Sequence, residues 1–553
     1  MKKKHIFGID LGTTYSCIAH VDEHGKPIVL PNSEHDLTTP SVVYFDNDTV
    51  VVGKSAKDVA AVEPEACVST VKRVMGDENW EFEFDGKTYK PQDISSFILR
   101  KVVADAALTC EEPIEDVVIT CPAYFGVKEK EATKQAGILA GLNVLYVIPE
   151  PTAAALAYGI EQERDQVVLV YDLGGGTFDV TIIEVKQQEI NVICTGGDHQ
   201  LGGKNWDEAI VAYFASEFEK EHAIPADDLL EDLETYQELL NAAERCKKTL
   251  STRTSVDEPV RFAGKRSKVR LTRETFDTIT RAYLERTISL TEGELEKAKE
   301  AGFSTIDKIL LVGGSTFMPQ IIDTVGTHFD CEVAQYDPNQ AVAKGAAVFG
   351  FKCLLDEQIK EKVAAETGQA TEQVDLALGG STVERAKEEV AMEHGLTLPG
   401  LQKIVDKVIS NVTSKSFGVR VYDPVRGCQA VANLIHVNDR VPTTASQQFG
   451  TQNDGQTQAD LVCMENLQDE SKGTVSEDLC REVGQAVLDF RKPMKRGAPV
   501  EITFDLSADG LLSMKGKDLT GGLEVQAEWL TAAIMNEEEL SQAKSRNLAM
   551  AVS

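Results

Sequence analysis

Two distant stretches of this chain carry one pattern, and that repetition limits the possible folds more than any other feature. Ile6-Phe7-Gly8-Ile9 reads as a buried strand that runs into Asp10-Leu11-Gly12-Thr13-Thr14-Tyr15-Ser16, then into a second apolar strand, Cys17-Ile18-Ala19. Val167-Val168-Leu169-Val170-Tyr171 runs likewise into Asp172-Leu173-Gly174-Gly175-Gly176-Thr177-Phe178-Asp179, then Val180-Thr181-Ile182-Ile183. Short apolar runs bounded by glycine are strand signals. A repeated unit implies two halves of similar architecture, each presenting a hairpin turn to a shared cleft.

The chemistry of the turns suits a nucleoside triphosphate. Glycine lets backbone N–H groups approach phosphate oxygens without an intervening Cβ, and successive N–H groups form an anion-binding concavity. Thr13, Thr14 and Thr177 add hydroxyl donors. Asp10 and Asp172 would repel phosphate unless a cation lay between, which implies Mg²⁺ held largely through its waters. One Asp-Leu-Gly alone could be a plain hairpin turn; two in matching contexts argue against that. Ile309-Leu310-Leu311-Val312-Gly313-Gly314-Ser315-Thr316, with Pro319 near a helix start, offers a glycine turn for the ribose or phosphate end of the nucleotide. On its own it is ordinary strand–helix punctuation. Glu244, Lys247 and Ser251 share one helix face by spacing, which in isolation would read as a solvated charged face.

At 553 residues the chain exceeds one hydrophobic core, so at least two domains are expected. The 56 basic and 89 acidic residues leave a net charge of −33. Such a surface repels nucleic acid and anionic membranes and favours apolar or basic partners. The eleven cysteines show no metal or disulfide spacing, which fits buried thiols in a reducing compartment. The opening Met1-Lys2-Lys3-Lys4-His5 starts like a signal peptide, but Asp10 interrupts the apolar stretch too early. No run approaches a membrane span of about 20 residues. A cytoplasmic location is expected.

Further segments complete a pattern: Val71-Lys72-Arg73-Val74-Met75-Gly76, Thr120-Cys-Pro-Ala-Tyr-Phe125, Pro149-Glu-Pro-Thr-Ala-Ala-Ala-Leu-Ala-Tyr-Gly159 and Leu201-Gly-Gly203. With the signatures at Ile9 to Ser16, Tyr171 to Asp179 and Leu311 to Pro319, roughly residues 4–350 resemble the DnaK-type, seventy-kilodalton heat-shock chaperones. The resemblance implies an actin-like (ribonuclease H-like) α/β domain with two lobes around a nucleotide cleft, binding ATP/ADP, Mg²⁺ and K⁺. It implies that Lys72 reaches the β- and γ-phosphates while Glu150 and Thr177 place the attacking water and the γ-phosphate. Asp10 and Asp172 would organise Mg²⁺, and Asp179 a monovalent cation. Gly12, Thr13, Thr14, Tyr15, Gly174, Gly175, Gly176, Gly202 and Gly203 would surround the phosphates. Glu244, Lys247, Ser251, Gly313, Gly314, Ser315, Thr316, Phe317 and Asp337 would hold the nucleoside side. Several positions depart from the family pattern. Phe317 stands where an arginine usually lies against adenine, and Asp337-Pro338-Asn339-Gln340 replaces the commoner Asn-Pro-Asp-Glu. Lys130 stands where an arginine, with the proline matching Pro122, relays nucleotide state; lysine lacks the planar fork.

These readings divide the chain into a nucleotide domain (1–352), a helical insertion or linker (353–413), an antiparallel β-sandwich (414–530) and a short C-terminal helix without a lid (531–553). Helical composition is seen at Gln358 to Glu366, and Ser381-Thr-Val-Glu384 reads as a capping box opening a helix that ends at Gly395. Leu401, Ile404, Val405 and Val408 are at helical spacing over Leu398 to Ile409. From Ser416 the period becomes two, with strands at Phe417–Tyr422, Ala430–Ile435, Ala459–Met464 and Val500–Leu506. One last helix is expected from Leu530 to about Lys544. The resemblance implies an ATP-dependent chaperone in which hydrolysis regulates binding of unfolded or apolar segments, aided by J-domain and nucleotide-exchange co-chaperones. A nucleotide-gated scaffold or exchange partner with weak ATPase is a rival reading, and a small-molecule kinase of the same fold is another.

Overall fold

A computed structural model of the chain describes residues 5–159, 164–467, 473–507, 512–529, 535 and 537–553. Each copy of the repeated pattern forms an antiparallel pair. Phe7–Asp10 lies beside Tyr15–Val21 with Asp10 opposite Cys17, and Gln166–Leu173 lies beside Phe178–Val185 with Asp172 opposite Asp179. The first strand of each pair also has a parallel neighbour, Asp116–Cys121 in one case and Lys308–Val312 in the other. The repeat in sequence is therefore a repeat in local topology. The first sheet runs 143–149, 116–121, 7–10, 15–21, 27–30, with 39–40 also paired to 15–21. The second runs 333–335, 308–312, 166–173, 178–185, 189–198, 408–412, 440–441.

Helices Glu150–Gly159 and Ala341–Thr367 share one apolar core with both sheets, which includes Ala19 and Val118, Ala154 and Ala347, and Val168 and Ile183. The two helices cross closely because Gly345 has no side chain. A Cβ there would sit 1.7 Å from the carbonyl oxygen of Ala153, so any larger residue would push the crossing, and with it the cleft, apart. Two outer cores complete the N-terminal half, one around Phe45, Tyr89 and Phe97, the other around Trp206, Phe214 and Phe276.

Helix Ala341–Thr367 runs without a break through residue 352. Helices Ser381–His394 and Leu398–Val405 pack against it through Val390 and Leu401. Two expectations need correction here. Ser381 is the first helical residue, Gly380 holds the cap position, and no side chain caps the turn. Val408 is not helical: the helix stops at Val405, and Val408–Val412 forms a strand parallel to Glu189–Asp198. Its β-branched residues fit the pleat, and the pairing satisfies a sheet edge that a longer helix would leave open.

Beyond this strand, two antiparallel sheets share an apolar core that includes Phe417, Leu461, Leu488, Phe504 and Met514. One sheet holds 474–476, 428–435, 417–423, 456–466 and 480–494; the other holds 443–450, 499–506, 512–518 and 524–529. The four strands read from alternation occur as Phe417–Asp423, Cys428–Ile435, Gln456–Asn466 and Pro499–Leu506. The last helix spans Glu537–Ala549, later than expected, and Leu530 to Ile534 lie outside the described residues. Ala551–Val552 then pairs in parallel with Thr49–Val52 of the N-terminal half.

Candidate functional site

The turns of the two repeats face one another across a cavity of about 690 Å³. The loops touch where glycine leaves room. A Cβ on Gly175 would fall 2.1 Å from Thr14 Oγ1, and one on Gly176 would fall 2.3 Å from Thr13 Cγ2. Behind them, the Gly203 amide donates to Gly174 O at 3.0 Å and the Lys204 amide to Gly175 O at 2.8 Å. Ser315 Oγ donates to Gly174 O at 2.8 Å. Gly202 precedes helix Gly203–His222 and stacks on Gly176.

Asp10, Gly12, Thr13, Thr14, Tyr15, Lys72, Glu150, Asp172, Gly174, Gly175 and Thr177 line the cavity, as do Glu244, Lys247, Ser251, Gly313, Gly314, Ser315 and Phe317. Sequence readings some three hundred positions apart thus meet in one space. Gly176, Asp179, Gly202, Gly203, Thr316 and Asp337 stand behind that lining. Thr316 donates to Gly313 O at 2.7 Å and shapes the turn. Asp337 is ion-paired with Lys344. Asp179 is buried and accepts from the Ala123 amide at 3.2 Å.

Lys72 and Glu150 form a buried ion pair. Lys72 is no surface lysine. Glu150 does begin helix Glu150–Gly159, but its carboxylate is engaged across the cleft floor as well. Burial opposes the charge on Lys72, yet Glu150 and Asp10 outweigh it and hold the ammonium above its ordinary range. The carboxylates outnumber it. Burial, then Glu150, push Asp10 up to about 7, with Lys72 offsetting part of the rise. Burial, then neighbouring carboxylates, hold Asp172 and Asp179 well above the usual range. Three buried carboxylates and the half-buried Asp10 around one ammonium leave uncompensated negative charge, the condition that a hard cation with oxygen ligands relieves. Among the described residues, no group of three or more His, Cys, Asp or Glu side chains is arranged to hold a metal directly. A hydrated Mg²⁺ would fit such a site, with Asp10 and Asp172 as the residues that would hold it through its waters.

The charged helix face is not simply solvated. Tyr15 donates to Glu244 at 2.8 Å, Lys248 reaches Glu244 at 2.8 Å, and Lys57 of helix Lys54–Val59 pairs with the same carboxylate. Burial works against this carboxylate, but Lys57 and Lys248 hold it well below the usual range. Lys247 donates to Gly203 O at 2.9 Å and to Asp207 at 2.7 Å. Ser251 Oγ donates back to Lys247 O at 3.4 Å. Phe317 is 41% exposed beside this region. Sequence reasoning missed Lys57 and Asp207, since no local spacing marks partners so far apart, and it also passed over Lys248, although that lysine stands one helical turn from Glu244. It also gave Arg73 no role. The Arg73 guanidinium crosses the cleft to Gly176 O, at 2.9 Å from Nε and 2.7 Å from Nη2. Its place next to Lys72 was the available signal.

A cleft of this kind, with two glycine turns, an inward lysine and clustered carboxylates, defines a nucleotide-phosphate-binding protein. The Hsp70 protein family model matches residues 6–362 and 390–551, and the chain belongs to that family. It is similar to the chaperone protein DnaK of Halobacterium salinarum in two strains, 37% identical over 98% of this chain and 77% of each relative.

Proposed function

We propose that this chain is an ATP-dependent chaperone of the DnaK type, in which the buried Lys72–Glu150 pair at the foot of the cleft carries the chemistry. It binds ATP/ADP with Mg²⁺, hydrolyses ATP, binds unfolded or apolar polypeptide segments, and works with J-domain and nucleotide-exchange co-chaperones. The first half is read as an actin-like, two-lobed domain and the two-sheet unit as a peptide-binding β-sandwich, with 353–413 between them and 531–553 after them.

In this reading the amides of the glycine turns and the hydroxyls of Thr13, Thr14 and Thr177 hold the triphosphate. Lys72 neutralises charge that develops on the transferring phosphoryl group, and Glu150, held by Lys72, orients the attacking water. Bound Mg²⁺ supplies the remaining charge neutralisation. Positioning and electrostatics of this kind provide most of the rate in phosphoryl transfer. The Glu244 cluster and the Gly313 to Phe317 turn flank the nucleoside, and Asp179 braces Asp172 or holds K⁺. Strand Val408–Val412 joins the second sheet directly, so a cleft that opens or closes shifts the segment leading into the β-unit. The helix Glu537–Ala549 sits on the nucleotide half through Asn547 and Asp93, leaving peptide uncovered by it and exchange fast. Free cysteines throughout support a cytoplasmic location, and among the described residues no helix is long and apolar enough to cross a membrane.

The test is the dissociation rate of a fluorescent apolar peptide from the full chain, with and without Mg-ATP, beside multiple-turnover ATP hydrolysis. Release should speed up with ATP, and Lys72→Ala should abolish that acceleration and lower kcat by about 10²–10³-fold. Peptide release indifferent to ATP would sink the coupling, and turnover unaffected by Lys72→Ala would sink the site assignment.

A further inference from the structure

A second cavity, of about 520 Å³, shares no lining residue with the phosphate cleft. Its volume is that of a small-molecule pocket. Four parts of the chain wall it: the start of helix Val127–Leu139 with Lys130, strand Asn143–Pro149 with helix Ala341–Thr367, strand Val408–Val412, and the β-unit through Phe417, Val441 and Leu506. Tyr146, Phe349 and Phe417 give it an apolar interior. Its charged lining is Lys130, Lys352 and Lys407, with no carboxylate. In a chain with 89 acidic and 56 basic residues, a concave surface carrying only cations runs against the composition.

These cations are poorly compensated. Lys352 has Asp356 at 2.9 Å and Val405 O at 2.6 Å. Lys407 is 4% exposed and donates to Lys186 O at 2.9 Å. Burial holds its ammonium below the ordinary range. Among the described residues, neither Lys407 nor Lys130 forms an ion pair, and the carboxylate acting on Lys407, Asp165, only partly offsets the burial. Positive charge at the edge of an apolar space costs free energy that an anion would offset.

We propose that this junction cavity is a regulatory binding site for a small amphipathic carboxylate, with the head group on Lys130 and Lys407 and the apolar body against Tyr146, Phe349 and Phe417. It goes beyond the chaperone reading and does not rest on it. Strand Asn143–Pro149 leads straight into Glu150, and Thr152 Oγ1 donates to Asn411 Oδ1 of strand Val408–Val412 at 2.8 Å. An occupant therefore touches both the segment carrying Glu150 and the strand that joins the two halves. By linkage, whatever stabilises this junction raises the ligand's affinity, and the ligand stabilises the junction in return.

Calorimetric titration of the full chain with decanoate, decanol and decyltrimethylammonium, all below their micelle concentrations, tests this. One decanoate should bind per chain, about tenfold or more tighter than either control, because hydrogen bonds to charged groups contribute that much. Lys130→Gln should weaken it about tenfold. Val408→Trp, which fills the cavity from a half-exposed strand position, should abolish it, while bound decanoate slows amide exchange over 408–412. Equal binding of decanol or the cation, or binding unchanged in both variants, would overturn the proposal. So would binding to phosphatidylglycerol vesicles with none to free decanoate, which would give these lysines to a membrane surface.

Discussion

Asp207 shows how burial sets the behaviour of a single residue. It lies on helix Gly203–His222 with Lys247 as its partner and is 9% exposed. Burial pushes its carboxyl up from 3.8 to about 6, with Lys247 offsetting part of the rise. The folded state then holds the proton more tightly than the unfolded state. This group's contribution is complete below about pH 4, falls as pH rises, and levels off above pH 6. The loss amounts to about 2–3 kcal/mol at one unit per 1.36 kcal/mol. Asp207→Asn removes it. Melting temperatures of the two proteins should be similar near pH 4, with the variant gaining on wild type up to pH 6 and the gap constant beyond. A gap that does not change with pH would place the carboxyl at its ordinary value. Lys72 and Glu150 were legible as candidate residues because they stand in dense local signatures. Asp207 was not, because its role depends on a lysine forty residues away.

At the scale of elements, the C-terminal segment makes the sharper case. Helix Glu537–Ala549 is polar in sequence and would read as a solvated tail. The structure anchors it instead. Asn547 is fully buried and donates to Asp93 Oδ1 at 2.8 Å and Ser96 Oγ at 3.1 Å. Arg546 also reaches Asp93 at 2.8 Å and covers the Tyr89 ring. Arg100 donates to Met550 O at 3.0 Å. The chain then adds an edge strand, with Ser553 N donating to Val50 O at 3.0 Å and Val52 N to Ser553 O at 2.9 Å. Asn547→Ala should cost about 1–3 kcal/mol, because it leaves buried polar groups short of a partner. Amide exchange at Val52 should speed up accordingly. Unchanged exchange there would show that the edge strand holds without the helix. Glycine, proline and alternation marked the start of helix Leu398–Val405 and the strands of the β-unit. Hydrophobic spacing misread Val408 because an apolar run at a helix end looks the same whether it continues or pairs with a sheet.

For the whole molecule, the two halves are joined by more than strand Val408–Val412. Arg481 of the β-unit donates to both oxygens of Glu129, at 2.8 and 3.1 Å, and also pairs with Glu465. Glu465 is 1% exposed and accepts from the Val127 amide at 3.3 Å. Burial is the main influence on its carboxyl, which stands above the usual range despite Arg481. Arg481→Met leaves Glu465 and Glu129 facing each other without the guanidinium that bridges them. Removing one partner of such a pair should weaken docking by about 2–3 kcal/mol, below the fully buried figure because Arg481 is partly exposed. Small-angle scattering should show a larger radius of gyration, and ATP-dependent peptide release should slow. Scattering identical to wild type would mean that the apolar junction suffices to hold the halves together.

The sequence by itself determined the class of this protein and the chemistry of its cleft. Glycine turns, inward threonines and paired aspartates serve phosphate wherever they are folded together, and backbone geometry written in a few adjacent residues is local information. Tertiary structure alone decided which distant side chains meet at Glu244, where helix Glu537–Ala549 docks, and that Val408–Val412 becomes a strand. Those outcomes depend on burial and on partners brought together from separate parts of the chain, and no local pattern encodes the partner.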